Sequence, residues 1–243
     1  MGDRQLSIDS FRSEYDGRLL DPVERRYQAK RLYNALVAAS VWPSNPRILD
    51  VGCGSGFKLS FLGNDVWLRV GCDIRRELYH HASRQVQGIY FVQANGIDLP
   101  FRDGFFDLVT CTSVIEEFPD YRAAIAEMSR CVAPGGALCI NVVNGVLLKP
   151  LYGIMEYFGF KILESSWRYA EASVSIVEDN PTVGFHIDHL AGWRYVHLTP
   201  YMVRNRFPVL KLLPKSWVDT AINRFAPTFV HAWQRPNIMK NKR

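Results

Sequence analysis

The sequence predicts an α/β fold in which a mostly parallel sheet carries helices on both faces. A short apolar segment at residues 47–51 leads into a Gly-x-Gly-x-Gly turn at residues 52–56, and a segment that can begin a helix follows. Such an order is typical of a strand, a tight turn and a crossover helix in a parallel sheet. Further apolar segments that are predicted as strands occupy residues 66–72, 89–92, 107–112 and 137–143.

The glycine turn predicts a binding site for a nucleotide-type ligand. Glycine adopts positive φ and has no Cβ, so the backbone at Gly52, Gly54 and Gly56 can approach a ligand closely. The helix that begins at Phe57 directs its N-terminal amides toward the turn. The dinucleotide fingerprint has a different spacing, G-x-G-x-x-G. Asp50 would repel a diphosphate but could pair with an ammonium group, so a dehydrogenase is disfavoured.

Asp73 ends the second predicted strand and follows Asp50 by 23 residues. An acid at this strand tip can accept hydrogen bonds from both hydroxyls of a ribose. The alternative is that Asp73 caps the helix predicted over residues 75–84. Together with the glycine turn, the position of Asp73 favours ribose binding.

Three motifs resemble those of a known enzyme family. The run Ile48-Leu49-Asp50-Val51 before the glycine turn resembles the first motif of class I S-adenosylmethionine-dependent methyltransferases. Residues 99–107, Leu-Pro-Phe-Arg-Asp-Gly-Phe-Phe-Asp, resemble the signature between the third and fourth strands of the type 11 branch, and Ala133-Pro134-Gly135-Gly136 resembles its Lys-Pro-Gly-Gly turn. The resemblance covers residues 45–144. It implies a Rossmann-like fold with a seven-stranded sheet and S-adenosyl-L-methionine as the cofactor.

The resemblance also implies which residues contact that cofactor. In the family, an acid at the position of Asn95 receives the adenine amino group. An amide oxygen can accept the same bond, so we expect a neutral contact there. The residues placed at the cofactor are Asp50, Gly52, Cys53, Gly54, Gly56, Asp73, Ile74, Asn95, Gly96, Ile97 and Ser113.

Four regions are predicted along the chain. Residues 1–44 form an N-terminal helical segment, and residues 45–144 form the cofactor-binding core. Residues 145–198 form an aromatic-rich insertion that follows the fifth strand and is expected to cover the acceptor as a lid; a peripheral packing subdomain is the alternative. Residues 199–243 supply a helix, the last strands and a basic tail.

Methyl transfer from a sulfonium is an in-line displacement, and some acceptors must also lose a proton. The candidate bases are His186 and His189 in the insertion and Glu117 after the fourth strand, where the family usually has histidine. A structural or exposed role is the alternative for each. Metal-dependent catechol-type enzymes of this kind have acidic ligands directly after the fourth strand, where this chain has Thr110-Cys111-Thr112-Ser113. No metal is therefore expected.

The charge of the chain is uneven. Its net charge is +5, but residues 200–243 carry nine Lys and Arg and one acid, which gives +8. A basic quarter favours an anionic partner or the surface of an anionic membrane, and a solvated basic face is the alternative. Nucleic acid is disfavoured, because neither the Asp/Asn-Pro-Pro-aromatic loop of amino-methylating DNA enzymes nor the Pro-Cys pair of cytosine C5 enzymes occurs.

The composition predicts a cytoplasmic protein. The N-terminal residues lack the apolar region of a signal peptide, and the five cysteines form no CxxC pair. We therefore expect a methyltransferase that acts on a small-molecule or lipid-like acceptor by O-, N- or C-methylation. The alternative from another class is a catalytically silent partner subunit that binds the cofactor. The sequence indicates no particular oligomeric state.

Overall fold

In the computed structural model, the chain folds into a seven-stranded sheet with helices on both faces. The structure describes residues 22–60, 66–75, 88–159, 190–198 and 228–237. A short 3-10 turn, Ile115–Glu117, follows the fourth strand. The elements in chain order are α1 Pro22–Ala38, β1 Arg47–Val51, α2 Phe57–Ser60, β2 Leu68–Asp73, β3 Tyr90–Gln93, β4 Phe106–Cys111, α3 Tyr121–Cys131, β5 Val132–Val143, α4 Gly145–Tyr157, β6 Arg194–His197 and β7 Thr228–Gln234. Among the described helices, none is long and apolar enough to cross a membrane.

The strand order is β3-β2-β1-β4-β5-β7-β6. Strands β1 to β5 run parallel, whereas β7 runs antiparallel to both of its neighbours, β5 and β6. The order reverses between β1 and β4, and ligands of open α/β sheets bind outside the carboxyl ends of the strands at such a point. The predicted fold class is therefore confirmed, and the topology locates the candidate site.

Alternate residues of the strands bury two separate cores, as the two-residue period of a strand requires. One core lies between the sheet and α3, and it includes Leu49, Val109, Leu138, Ile125 and Met128. The other lies between the sheet and helices α1 and α2, and it includes Ile48, Leu108, Cys139, Leu36 and Leu59. The strands that carry the site are thus held by apolar packing on both faces.

Strand β5 differs most from its predicted bounds. It begins at Val132, five residues before the predicted start, and contains the segment 133–136 that was predicted as a turn. The pairing with β4 shifts from Phe106 opposite Val132 to Leu108 opposite Ala137. The prediction of a separate turn was wrong, because these residues form an irregularity inside the strand.

Strand β6 lies within the segment that the sequence assigned to the insertion. Arg194–His197 pairs with β7 and forms one edge of the sheet. The last residues of that segment therefore belong to the sheet. Residues 76–84 of the helix predicted over residues 75–84 lie outside the described residues, as does the helix predicted over residues 201–207 in the C-terminal region.

The type 11 signature is held in place by Arg130 of α3. Its guanidinium donates hydrogen bonds to the carbonyl oxygens of Leu99 and Phe101, at 3.0 and 2.7 Å, and to the carboxylate of Asp103 at 2.7 Å. It also pairs with Glu127, which accepts a hydrogen bond from the Leu99 amide and has its pKa lowered by Arg130. The signature loop is thereby fastened to α3.

The last acid of the signature, Asp107, joins the starts of β1 and β4. It accepts hydrogen bonds from the Arg47 amide at 2.8 Å and from two guanidinium nitrogens of Arg47 at 2.8 and 2.7 Å. This bidentate pair lies at the amino-terminal edge of the sheet, opposite the edge where the site residues lie. The Asp103 and Asp107 contacts therefore give two acids of the signature a structural role.

We predict that Arg130→Ala lowers the free energy of unfolding by about 2–4 kcal/mol, because two loop carbonyls and Glu127 lose a charged donor. Urea denaturation measures the change. Arg122→Ala on the exposed side of the same helix is the matched control and should cost less than about 1 kcal/mol. Equal losses in the two variants would contradict the role of Arg130.

Candidate active site

The predicted site residues that the structure describes lie together at the carboxyl edge of the sheet. Asp50 and the glycine turn end β1, Asp73 and Ile74 end β2, and residues 95–97 follow β3. Ser113 and Glu117 follow β4. His186 and His189 lie outside the described residues, so their roles stay predictions.

The glycine turn is fastened to the end of β2 by three hydrogen bonds. The amides of Gly52 and Cys53 both donate to the Cys72 carbonyl, at 2.8 and 3.0 Å. The Gly54 amide donates to Oδ2 of Asp73 at 3.0 Å. The carboxylate of Asp73 is therefore in contact with the turn and shapes it.

Asp73 bonds both to the glycine turn and to the segment that follows β2. Its Oδ1 accepts a hydrogen bond from the Arg75 amide at 3.0 Å and lies 3.4 Å from Nε of Arg75, so it does organise the start of the following segment. Its Oδ2 accepts the Gly54 amide. Because a carboxylate oxygen has two lone pairs, Oδ2 keeps one position for a further donor. Ribose binding by Asp73 remains a prediction that this geometry permits.

Two of the three glycines are required by packing as well as by the shape of the turn. Gly52 and Gly56 both have φ of +69°. A Cβ at Gly52 would lie 2.5 Å from Val114, and a Cβ at Gly56 would lie 2.5 Å from the ring of Phe91. The turn therefore packs directly against β3 and against the segment after β4.

Two residues of opposite charge, the buried Asp50 and the half-buried Lys58, lie beside the turn. Asp50 is 2% exposed and accepts a hydrogen bond from the Thr110 hydroxyl at 2.7 Å. Burial raises the pKa of Asp50, and the charge of Lys58 and the Thr110 hydroxyl oppose that rise. Burial lowers the pKa of Lys58, whose enclosed amine donates to the carbonyl oxygen of Thr112 at 3.0 Å and to its hydroxyl.

This arrangement bears on two expectations from the sequence. The carboxylate of Asp50 is enclosed and already bonded, so direct contact with a ligand ammonium stays a prediction. Lys58 was not predicted, although a lysine two residues after the last glycine of the turn was the signal that could have found it. Its positive charge weakens the argument that Asp50 alone excludes a diphosphate.

The loop after β3 presents Asn95 and Ile97 at the edge of the sheet. Oδ1 of Asn95 accepts a hydrogen bond from the Ile97 amide at 3.3 Å, and the carbonyl oxygen of Asn95 accepts one from the Asp98 amide at 3.0 Å. Gly96 is buried, and a Cβ there would lie 2.6 Å from the ring of Phe118. Asn95 is exposed, Ile97 is 39% exposed, and Ile74 at the end of β2 is 59% exposed.

Ser113 follows β4 and has a left-handed backbone conformation, with φ of +63°. Its amide donates a hydrogen bond to Oδ1 of Asn141 on β5, a residue that was not predicted to belong to the site. A non-glycine residue in the left-handed conformation carries backbone strain on the order of 1–3 kcal/mol, and such residues cluster at functional sites. The strain at Ser113 therefore supports its place in the site.

The acids after β4 differ sharply in environment. Glu117, the predicted candidate, is exposed. Glu116 is 8% exposed, its Oε1 accepts a hydrogen bond from the Val143 amide at 2.7 Å, and its Oε2 has no hydrogen-bond partner. Burial raises the pKa of Glu116 above its ordinary value of 4.5, and the bond from Val143 opposes the rise. Glu116 was not predicted, because two adjacent acids look alike in a sequence until the fold buries one of them.

All five cysteines are free thiols, and four of them are buried. Burial raises the pKa of Cys72 and of Cys139 to about 12 in each case. Among the residues that the structure describes, no group of three or more His, Cys, Asp or Glu side chains could hold a metal ion.

Residues 49–140 match a family model described as a methyltransferase domain. The matched span begins in β1, ends in β5 and includes the glycine turn, Asp73 and the type 11 signature. This part of the chain is therefore similar to a methyltransferase domain. The family resemblance that the motifs implied is thereby confirmed.

Curated relatives of the methyltransferase domain are named ubiquinone/menaquinone biosynthesis C-methyltransferase UbiE. The protein from Vibrio parahaemolyticus is 28% identical over 156 residues, which are 56% of this chain and 60% of that protein. The protein from Proteus mirabilis is 30% identical over 171 residues, which are 60% of this chain and 66% of that protein. The chain thus spans about three fifths of the length of the former relative.

Solved structures of methyltransferases share the fold. The plantazolicin methyltransferase BpumL in complex with SAH superposes with a TM-score of 0.64 at 15% identity, over 95% of this chain and 91% of that one. An S-adenosylmethionine-dependent methyltransferase from Thermotoga maritima superposes with a TM-score of 0.55 at 16% identity, over 93% and 96% of the two chains. At such identities the similarity shows the fold alone.

The buried carboxyl of Glu116 predicts a specific dependence of stability on pH. The folded chain keeps the Glu116 proton to a higher pH than the unfolded chain does. The free energy of unfolding therefore falls as pH rises from 4.5 through the raised pKa. Glu116→Gln removes this titration and keeps an oxygen for the Val143 amide, so the fall should be smaller in the variant.

Urea unfolding at a series of pH values measures this difference. Glu117→Gln changes the adjacent, exposed acid and is the matched control, which should keep the pH profile of the unchanged protein. A Glu116→Gln profile that is parallel to that of the unchanged protein would show that Glu116 titrates alike in the folded and unfolded chains.

Proposed function

We propose that this chain is an S-adenosylmethionine-dependent methyltransferase whose acceptor is a small molecule, of a lipid-like kind. The observation that carries the proposal is the glycine turn bonded to Asp73 at the carboxyl edge of a methyltransferase domain. The names of the curated relatives, which refer to quinone biosynthesis, support an apolar acceptor with a reactive ring.

The proposed cofactor site runs along the ends of β1, β2 and β3. Asp73 would receive the ribose hydroxyls, and Asn95 would receive the adenine amino group through its amide oxygen. The exposed side chains of Ile74 and Ile97 offer apolar surface for the adenine ring. Burying that surface against a flat ring is favourable, which supports their inclusion in the site.

The amino-acid end of the cofactor carries an ammonium and a carboxylate. Asp50 and Lys58 supply one charge of each sign beside the glycine turn. Because Asp50 is buried and Lys58 is half-buried, they would act on this end of the ligand through a medium that screens charge less than water does. We propose that this pair orients the amino-acid end.

When bound, the cofactor supplies a methyl group on a sulfonium, and the chain must hold the acceptor in line and keep water out. The segment after β5 would cover the acceptor. His186, His189 and Glu117 are the proposed bases for acceptors that must lose a proton. Incubation of cell extract with labelled cofactor, followed by mass spectrometry of the labelled product, identifies the acceptor. The absence of any labelled product would favour a catalytically silent partner subunit.

Asp73→Ala is predicted to reduce the affinity for S-adenosylmethionine by about 1.5–3 kcal/mol, the scale of hydrogen bonds to a charged group. Isothermal calorimetry measures the dissociation constant, and Glu156→Ala on α4 is the control that should leave it unchanged. If the dissociation constant of Asp73→Ala equals that of the unchanged protein, Asp73 does not bind the ribose. Heat of binding with NAD but none with S-adenosylmethionine would contradict the proposed function itself.

The proposed lid predicts that binding and turnover can be separated. A short Gly/Ser linker in place of residues 160–189 keeps α4 and β6, which belong to the described fold. The trimmed chain should bind the cofactor within about tenfold, or 1.4 kcal/mol, of the full chain, but should lose methyl transfer to the acceptor. Transfer at the original rate by a trimmed, folded chain would show that these residues are not the lid.

A further inference from the structure

Helix α4 presents a large amount of exposed apolar surface. Gly145 is its only buried residue. The rings of Tyr157 and Phe158 meet edge to face at the end of the helix, with centroids 5.4 Å apart. Five large apolar side chains on this helix and its cap are exposed, to the following extents: Val146 51%, Leu151 42%, Ile154 56%, Tyr157 86% and Phe158 71%.

These side chains form one stripe. At about 100° per residue, Val146, Leu151, Ile154, Tyr157 and Phe158 fall within an arc of roughly 140° around the helix axis. The exposed Pro150 lies in the same arc. The two charged residues of the helix, Lys149 and Glu156, lie outside this arc, next to the edge that Val146 marks. We call the five exposed apolar residues and Pro150 together the α4 stripe.

The position of the α4 stripe relates it to the site. Helix α4 begins directly after β5 ends at Val143, and Asn144 caps it by accepting a hydrogen bond from the Leu147 amide at 3.2 Å. The end of β5 belongs to the carboxyl edge of the sheet, where the Glu116 carboxylate binds the Val143 amide. A surface that docks α4 would therefore adjoin the edge at which the acceptor is expected.

The size and chemistry of the α4 stripe favour a lipid surface over a second copy of the chain. A 13-residue helix is roughly 20 Å long and about 10 Å wide, which is too small to supply the about 800 Å² per partner that a stable dimer buries. The only side-chain polar group in the stripe is the hydroxyl of Tyr157. A bilayer interface accepts an apolar helix face without matched hydrogen bonds.

Charge supports the same occupant. The chain carries a net charge of +5, and residues 200–243 carry +8. Each Lys or Arg near an anionic membrane contributes about 1 kcal/mol of attraction. Electrostatic attraction and insertion of an apolar helix face are two signals that together give stable peripheral binding.

We propose that the α4 stripe docks on the surface of a lipid bilayer and brings the carboxyl edge of the sheet to the membrane. The inference deepens the proposed function, because it rests on a lipid-like acceptor that the bilayer would present. The docking step itself requires neither the cofactor nor methyl transfer. The two proposals can therefore fail separately.

Co-sedimentation of the full chain with vesicles of phosphatidylcholine and phosphatidylglycerol tests the docking. The α4 variant carries Ile154→Ser, Tyr157→Ser and Phe158→Ser. The matched control carries Val37→Ser, Trp67→Ser and Tyr90→Ser, three apolar side chains away from α4 that are 46%, 68% and 66% exposed. Calorimetry with S-adenosylmethionine checks that each variant keeps the cofactor affinity of the unchanged protein, and urea unfolding checks the fold if no affinity exists.

We expect the unchanged protein and the control to bind the vesicles, and the α4 variant to partition at least about tenfold more weakly. The single change Tyr157→Ser, at the most exposed position, should weaken binding in the same direction and serves if the triple variant does not fold. Absence of vesicle binding by the unchanged protein, or an equal loss in the control, would overturn the proposal. So would light scattering that shows the α4 variant splitting a dimer while vesicle binding is unchanged.

Discussion

The bonds between the glycine turn and the end of β2 determine the shape of the candidate site. They exist because β1 and β2 pair in a register that puts Val51 opposite Cys72. The chain leaving β1 then meets the Cys72 carbonyl and the Asp73 carboxylate at once. A shift of one residue in a strand turns every side chain to the other face, so Asp73 would leave the turn. The core packing that holds this register therefore also holds the site.

Asp50 is buried and Lys58 is half-buried, so both groups lose hydration on folding at a cost in free energy. Each has partial compensation, from the Thr110 hydroxyl for Asp50 and from Thr112 for Lys58. These partners link β1, α2 and the end of β4 around the turn. A polar network of this kind is weak evidence for stability, and its position beside the turn supports the proposed role in orienting the cofactor.

Local patterns predicted the parts of the molecule that local chemistry determines. The glycine spacing, the apolar strands and Asp73 predicted the fold class and the side of the sheet that carries the site. Strand β6 was not predicted, because its four residues acquire their identity from pairing with β7 some 30 residues later in the chain. Glu116 was missed for the same physical reason, since its burial depends on Val143, which lies 27 residues away.

The place of β7 in the strand order has a consequence for biosynthesis. Strand β7 lies between β5 and β6, although the ribosome makes it after both. While the nascent chain lengthens past Val143, the mostly apolar edge of β5 has no antiparallel neighbour, and β6 emerges before its partner exists. An open edge of that kind is a template for pairing with other chains. The sheet therefore cannot be completed until β7, which lies next to its edge strand β6, has been synthesised.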